Sequence, residues 1–316
     1  MDCYCDDKAG KTKFYGFVKF GFFIFTISET LKSDRGERRN MKIEHVINNN
    51  IVSSMDGGNE IVISGRGIGF GAHKGDVIDE KRIEKIYRMD SKEQMGKFKQ
   101  LLISVSPEYL KISDEIITQA SRELNVELNS SIYMTLTDHI SFAIERYGKG
   151  MDFDNILTNE VSDYYPNEFR IGMNAVKLIK EETGCNLKRD EAASIALHVV
   201  SAELNTKMSV AYGITEIVKG IMDILRDCID TEDKESQVKL EDVIYHIKHL
   251  AYRIISDKQY QDEDVELYRF VQEHYPAQCI CCDQIDSFIS EVVGKRLTVE
   301  ERNHLVMNLK YFKFAS

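Results

Sequence analysis

The feature that most restricts this chain is an internal repeat. Tyr165-Pro166 recurs as Tyr275-Pro276, Gly184-x-x-Leu187 as Gly294-x-x-Leu297, and the acidic pair Asp190-Glu191 as Glu300-Glu301. The offset is 110 each time (276 minus 166, 294 minus 184, 300 minus 190), so the span repeats without a gap. Both copies read as amphipathic helices rich in Glu, Lys, Leu and Ile, and only three prolines interrupt the whole chain. Two copies of one all-α helical-bundle unit are therefore expected, at 104–209 and 210–316.

Met41 to Lys74 has a different period. Apolar and polar residues alternate around two turn-like clusters, Asn48-Asn49-Asn50 and Asp56-Gly57-Gly58-Asn59, followed by Gly65-Arg66-Gly67 and Phe70. That pattern describes a small antiparallel β-sheet with amide-rich and glycine-rich loops. The expected order is a β domain at 41–95, a linker at 96–103, and the two helical units.

Charge and cysteine content narrow the function. A net charge of -11 argues against a broad polyanion binder, which needs Lys and Arg to displace counterions. From Met41 to Met95 eight Lys/Arg face nine Asp/Glu, so any nucleic-acid contact there must be local and shape-based. The seven cysteines lack zinc-ligand spacing, which fits a reduced, cytoplasmic protein with incidental thiols and no metal site; no cofactor or catalytic residue is expected. Phe14 to Ile27 is apolar but contains Lys19 and falls short of the roughly 20 residues of a spanning helix, so membrane insertion is not expected.

Lys42-Ile-Glu-His-Val-Ile-Asn-Asn-Asn50 and Gly65-Arg-Gly-Ile-Gly-Phe70 resemble the co-antiterminator domain that opens the BglG/SacY/LicT transcriptional antiterminators. The residue types suit RNA. A-form duplexes expose a shallow minor groove to short amides such as Asn48, Asn49 and Asn50. Gly65 and Gly67 let the backbone approach closely, Arg66 bonds phosphate or a base edge, and Phe70 stacks on an unpaired base. His45 stands where relatives often carry lysine. The resemblance implies a homodimer, and the alternating Ile43, Val46, Ile47, Ile51, Val62 and Ile63 fit a buried dimer face.

The helical units extend the resemblance. Thr137-Asp-His139-Ile-Ser-Phe-Ala-Ile-Glu-Arg146 and Ile195-Ala-Leu-His198-Val-Val-Ser-Ala-Glu203 resemble the two phosphorylatable histidine motifs of the phosphotransferase-system regulation domain. An unprotonated imidazole nitrogen accepts a phosphoryl group near neutral pH, and the product's added negative charge can break or make a helical interface. Arg146, two turns from His139, lies on the same helical face and can answer that charge. In the second unit His246 and Arg253 repeat this spacing, whereas the counterpart of His198 is Asn308, which cannot be phosphorylated. His249 and His304 lie nearby without occupying a motif position.

By resemblance, the protein is an antiterminator of a sugar-utilisation operon that holds a leader RNA hairpin and so prevents terminator formation. A sugar-specific permease would inactivate it through the first unit, and the histidine-containing phosphocarrier protein would activate it through the second. A DNA-binding activator with the same regulatory units is the competing class, but it needs a helix-turn-helix ahead of them. An enzyme with a histidine nucleophile is a third, without a phosphate loop or metal cluster to support it.

Residues 1–40 read as a mistranslated leader or a disordered extension. Arg35-Gly-Glu-Arg-Arg-Asn40 back-translates to a purine-rich run before Met41, like a ribosome-binding site. Family targets resemble GGATTGTTACTGC, a spacer, then GCAGGCAAAACC. Met1-Asp-Cys-Tyr-Cys5 and Ala9-Gly-Lys-Thr12 agree with them at every fixed base. The RNA partner would then include the protein's own transcript.

Overall fold

The computed structural model describes residues 41–151, 153–229, 234–261 and 264–314; the leader or extension expected at 1–40 lies outside them. Strands β1 (Ile43–Asn48), β2 (Ile51–Asp56), β3 (Asn59–Ser64) and β4 (Lys85–Tyr87) form one antiparallel sheet in sequence order. Gly57 and Gly58 close the β2–β3 hairpin with φ of 58° and 86°, the left-handed geometry whose twist matches the flanking strands. This region is a sheet, so no helix-turn-helix occupies it.

Both faces of the sheet are covered within one chain. Ile51, Val62 and Tyr87 pack on Met95, Phe98 and Leu102 of helix α1 (Lys92–Ser104), together with Leu110. The segment 96–103, expected as a linker, is the body of α1. Its apolar residues at i, i+3 and i+7 form one stripe facing the sheet. On the opposite face Val52, Ile61 and Ile63 are at most 1% exposed, and along the β1 edge the returning chain pairs Lys42 with Val77, Ile43 N donating to Asp76 O at 2.9 Å.

This corrects the expected dimer face. Ile43, Ile51, Val62 and Ile63 are at most 2% exposed inside the single chain, Ile47 packs on the α1 core, and Val46 alone of the six stays substantially exposed. Strand alternation marks a buried face without saying whether its cover is a partner copy or the chain's own helix.

The first helical copy comprises α2 (Pro107–Leu124), α3 (Ile132–Gly148), α4 (Thr158–Tyr164), α5 (Pro166–Thr183) and α6 (Arg189–Glu203). The second comprises α7 (Met208–Cys228), α8 (Lys234–Ile255), α9 (Val265–His274), α10 (Pro276–Val293) and α11 (Val299–Leu309). The repeat markers are helix punctuation. Pro166 and Pro276 open α5 and α10, where a missing N–H costs nothing, and Gly184 and Gly294 end them with φ of 76° and 73°.

Helix α6 departs from the amphipathic expectation: every residue from Glu191 to Ala202 is buried. Ile195, Val199 and Ala202 enter the core of the first copy, whereas Ala193, Ala196, Leu197 and Val200 enter a core continuous with α7 and the rest of the second copy. The two copies therefore share α6 as a common wall. Small residues permit this: a Cβ on Gly172 of α5 would stand 2.1 Å from the Ala192 carbonyl oxygen.

Candidate RNA interface and histidine sites

The two loops singled out for RNA lie against one another. Gly67 N donates to Asn50 Oδ1 at 2.8 Å, Gly65 N to Asn50 O at 2.9 Å, and Gly69 N to Asn49 O at 3.0 Å. Asn48 turns inward, its Oδ1 accepting from Asn50 N at 2.9 Å and its Nδ2 donating to Leu102 O of α1 at 3.4 Å. Asn49, Asn50, Arg66 and Phe70 are left exposed, and the Phe70 ring is 74% exposed.

The glycines divide by role. A Cβ on Gly65 would stand 1.8 Å from the Arg82 carbonyl oxygen, so its small size serves the chain's own close packing. Gly67 takes φ of 65° with open space around it, leaving room for a ligand backbone. Sequence reasoning missed Arg82, whose Nη1 donates to Gly67 O at 3.1 Å and braces the loop. His45 lies on the β1 side, 3.6 Å from Glu60, which also pairs with Lys99 of α1 at 2.7 Å.

In the first helical unit His139 and His198 meet, with ring centroids 4.9 Å apart. His139 Nε2 is 3.1 Å from Glu191 Oε2, an ion-pair distance without hydrogen-bond alignment, and Arg146 Nη2 donates to Glu191 Oε1 at 2.5 Å. Burial raises the Glu191 carboxyl, but His139 and Arg146 outweigh it and hold the group below its ordinary value. Arg146 thus answers a carboxylate already present, and its guanidinium stacks on Phe142 and Phe153 at 4.8 and 4.4 Å. Glu191 was visible in the sequence only as half of a repeated acidic pair. His198 is buried with Nδ1 unpartnered, and desolvation plus the neighbouring His139 lower its pKa to about 3.

The second unit builds the same frame with a different interior. Arg253 Nε donates to Glu301 Oε1 at 3.4 Å and stacks on Tyr260 at 4.3 Å, repeating the arrangement around Arg146. Gln259 Nε2 donates to the other Glu301 oxygen at 2.6 Å, and His246 is exposed. His246, His249, Arg253, Glu301, His304 and Asn308 line an open cavity of about 250 Å³. The first site is filled by its two rings; the second is accessible.

Two family models match parts of the chain. The CAT RNA binding domain family matches residues 41–96, and the PRD domain family matches residues 114–202. The transcription antiterminator LicT of Bacillus subtilis (strain 168) is 38% identical over 271 residues, 85% of this chain and 98% of LicT. The beta-glucoside operon antiterminator of Dickeya chrysanthemi is 34% identical over 85% of this chain and 96% of its own length. The crystal structure of GlcT CAT-PRDI is 35% identical, with a TM-score of 0.47, covering 52% of this chain and 98% of that one. No helix among the described residues is long and apolar enough to cross a membrane. With an RNA-binding sheet at its head, a histidine-bearing helical unit behind it and relatives aligned over nearly their full length, the chain belongs to the BglG/LicT family of transcription antiterminators.

Proposed function

We propose that this protein is an RNA-binding transcriptional antiterminator controlled by histidine phosphorylation from the sugar phosphotransferase system. The paired loops carry the reading. They set Asn49, Asn50, Arg66 and Phe70 at one end of the sheet, with amides for a minor groove, a cation for phosphate and a ring for an unpaired base. Asn48, Gly65 and Gly67 shape that surface from within. A leader hairpin held there cannot join the overlapping terminator hairpin.

His139, His198 and His246 are the phosphoryl acceptors, the first two from a sugar-specific permease and the third from the histidine-containing phosphocarrier protein. The sheet stands directly on the first unit: Lys85 of β4 pairs with Asp114 of α2, and the Tyr87 and Tyr133 rings meet edge to face at 5.2 Å. Charge added to α3 is thus close to the RNA-binding sheet. A second copy of the chain completes the active form, and the protein's own transcript is among its targets.

Gel-shift of the full chain with leader RNA and with duplex DNA of the same sequence tests the RNA reading; retention of DNA alone would contradict it. Mass spectrometry after incubation with the phosphorylated carrier, with and without permease, tests the acceptor assignments. The nucleotide sequence of the gene tests autoregulation, which requires the target codons over Met1 to Thr12.

A further inference from the structure

The second unit has a cavity where the first has two packed rings, and it retains an unassigned histidine. His304 lies on α11 one turn before Asn308, whose Nδ2 donates to the His304 carbonyl at 2.9 Å. Its side chain is 54% exposed, and it lines the cavity together with His246 and Arg253. At the matching position in the first unit (304 minus 110) is Ser194, which is buried and accepts from Asn155 Nδ2 at 3.1 Å. His304 is therefore peculiar to the copy that lacks the second motif histidine.

Glu300 Oε1 is 2.9 Å from His304 Nε2. A carboxylate can only accept, so in the neutral imidazole this nitrogen is the one that carries the proton and Nδ1 the one that holds the lone pair. The other Glu300 oxygen is buried and unpartnered, which leaves the imidazole as its hydrogen-bonding partner. Tyr260 lies 5.3 Å from the His304 ring and carries the stacked Arg253 guanidinium, placing a cation on the same wall. His249 packs edge to face on Tyr245 at 4.5 Å, and no carboxylate contact orients it among the described residues.

We propose that His304 is a second phosphoryl acceptor of the second unit, in place of the histidine absent at 308. This rests on the phosphorylation reading above. The Nδ1 lone pair attacks the phosphorus of a phosphohistidine on the carrier protein. A new N–P bond forms as the carrier's N–P bond breaks, the carrier imidazole keeps that electron pair and takes up a proton, and the Nε2 proton of His304 passes to Glu300 and on to solvent. No oxidant or metal is required.

The full chain, its His246→Ala variant and a His246→Ala/His304→Ala variant would be incubated with phosphorylated carrier protein. Adducts are then mapped by peptide mass spectrometry at neutral to alkaline pH, where N–P bonds survive. The proposal expects an adduct on the His304 peptide in the wild type and in His246→Ala, and its loss in the double variant. In Glu300→Gln the His304 adduct is lost or slowed while that at His246 persists. Adducts at His139, His198 or His246 with none at His304 would overturn the proposal and leave the wider reading intact. A shift of the label to His249 would overturn it likewise. Absence of label on every histidine would refute both.

Discussion

His139 and His198 face each other across α3 and α6 with ring centroids 4.9 Å apart and planes inclined by 46°. Glu191, on the same helix as His198, is 3.1 Å from His139. A phosphoryl group on either ring would place roughly two negative charges beside this carboxylate in a buried setting. The contact between α3 and α6 cannot survive that repulsion unchanged. Because α6 is packed into the cores of both copies, its displacement is felt in both.

Glu191→Gln removes the charge between His139 and Arg146 while keeping the shape. Arg146 is only 14% exposed, so it is left buried without its anion. Breaking such a pair costs about 3 to 5 kcal/mol. Urea denaturation should show a loss of this order, whereas Glu145→Gln, whose Lys149 pair is exposed to solvent, leaves stability nearly unchanged.

His198 makes stability depend on pH in a definite direction. Its pKa falls from 6.5 to about 3 on folding, because burial disfavours the charged ring and His139 adds to the effect. The unfolded chain therefore binds the proton first. This contribution is complete above pH 6.5 and is lost as pH falls towards 3, at about 1.4 kcal/mol per pH unit. His198→Asn, which copies Asn308, should flatten that slope in urea titrations between pH 7.5 and 5 by about that amount; an unchanged slope would contradict it.

Phe70→Ala should separate binding from folding. The ring is 74% exposed, so the melting temperature is expected to stay put. Loss of a stacking platform costs about 1 to 3 kcal/mol of RNA affinity, roughly 5- to 150-fold in gel-shift titrations. Gly65→Ala should behave differently, lowering stability and affinity together, because its Cβ collides with the Arg82 carbonyl.

Glu203 carries the opposite pH dependence at the boundary of the two copies. Burial, then repulsion by Glu168, raises its pKa from 4.5 to about 8, while Lys248 from the second copy lies over the Tyr165 ring at 4.3 Å. The folded chain holds this proton where the unfolded chain has released it. Stability from this group is thus lost as pH rises from 4.5 to 8, at up to about 1.4 kcal/mol per unit. Glu203→Gln should be more stable than wild type at pH 8 and nearly equal to it at pH 4.5, as compared by denaturation at the two values.

Local chemistry made much of this protein legible from its sequence. Alternation and the Asp56-Gly-Gly-Asn59 turn specified the hairpin, Pro166 and Gly184 with their repeats Pro276 and Gly294 specified two matched helices, and the seven-residue step placed His139 and Arg146 on one face. These are properties of neighbours along the chain, set by backbone sterics and helical period. Tertiary packing decided the rest. It covered Ile51 and Val62 with Phe98 of a segment that reads as a linker, brought Glu191 between His139 and Arg146, and set Gly65 against the Arg82 carbonyl. It also buried His198 while leaving the corresponding place in the second copy open around His304. Burial, and the partner that supplies it, depends on segments distant in sequence, and no local periodicity encodes which surface they will cover.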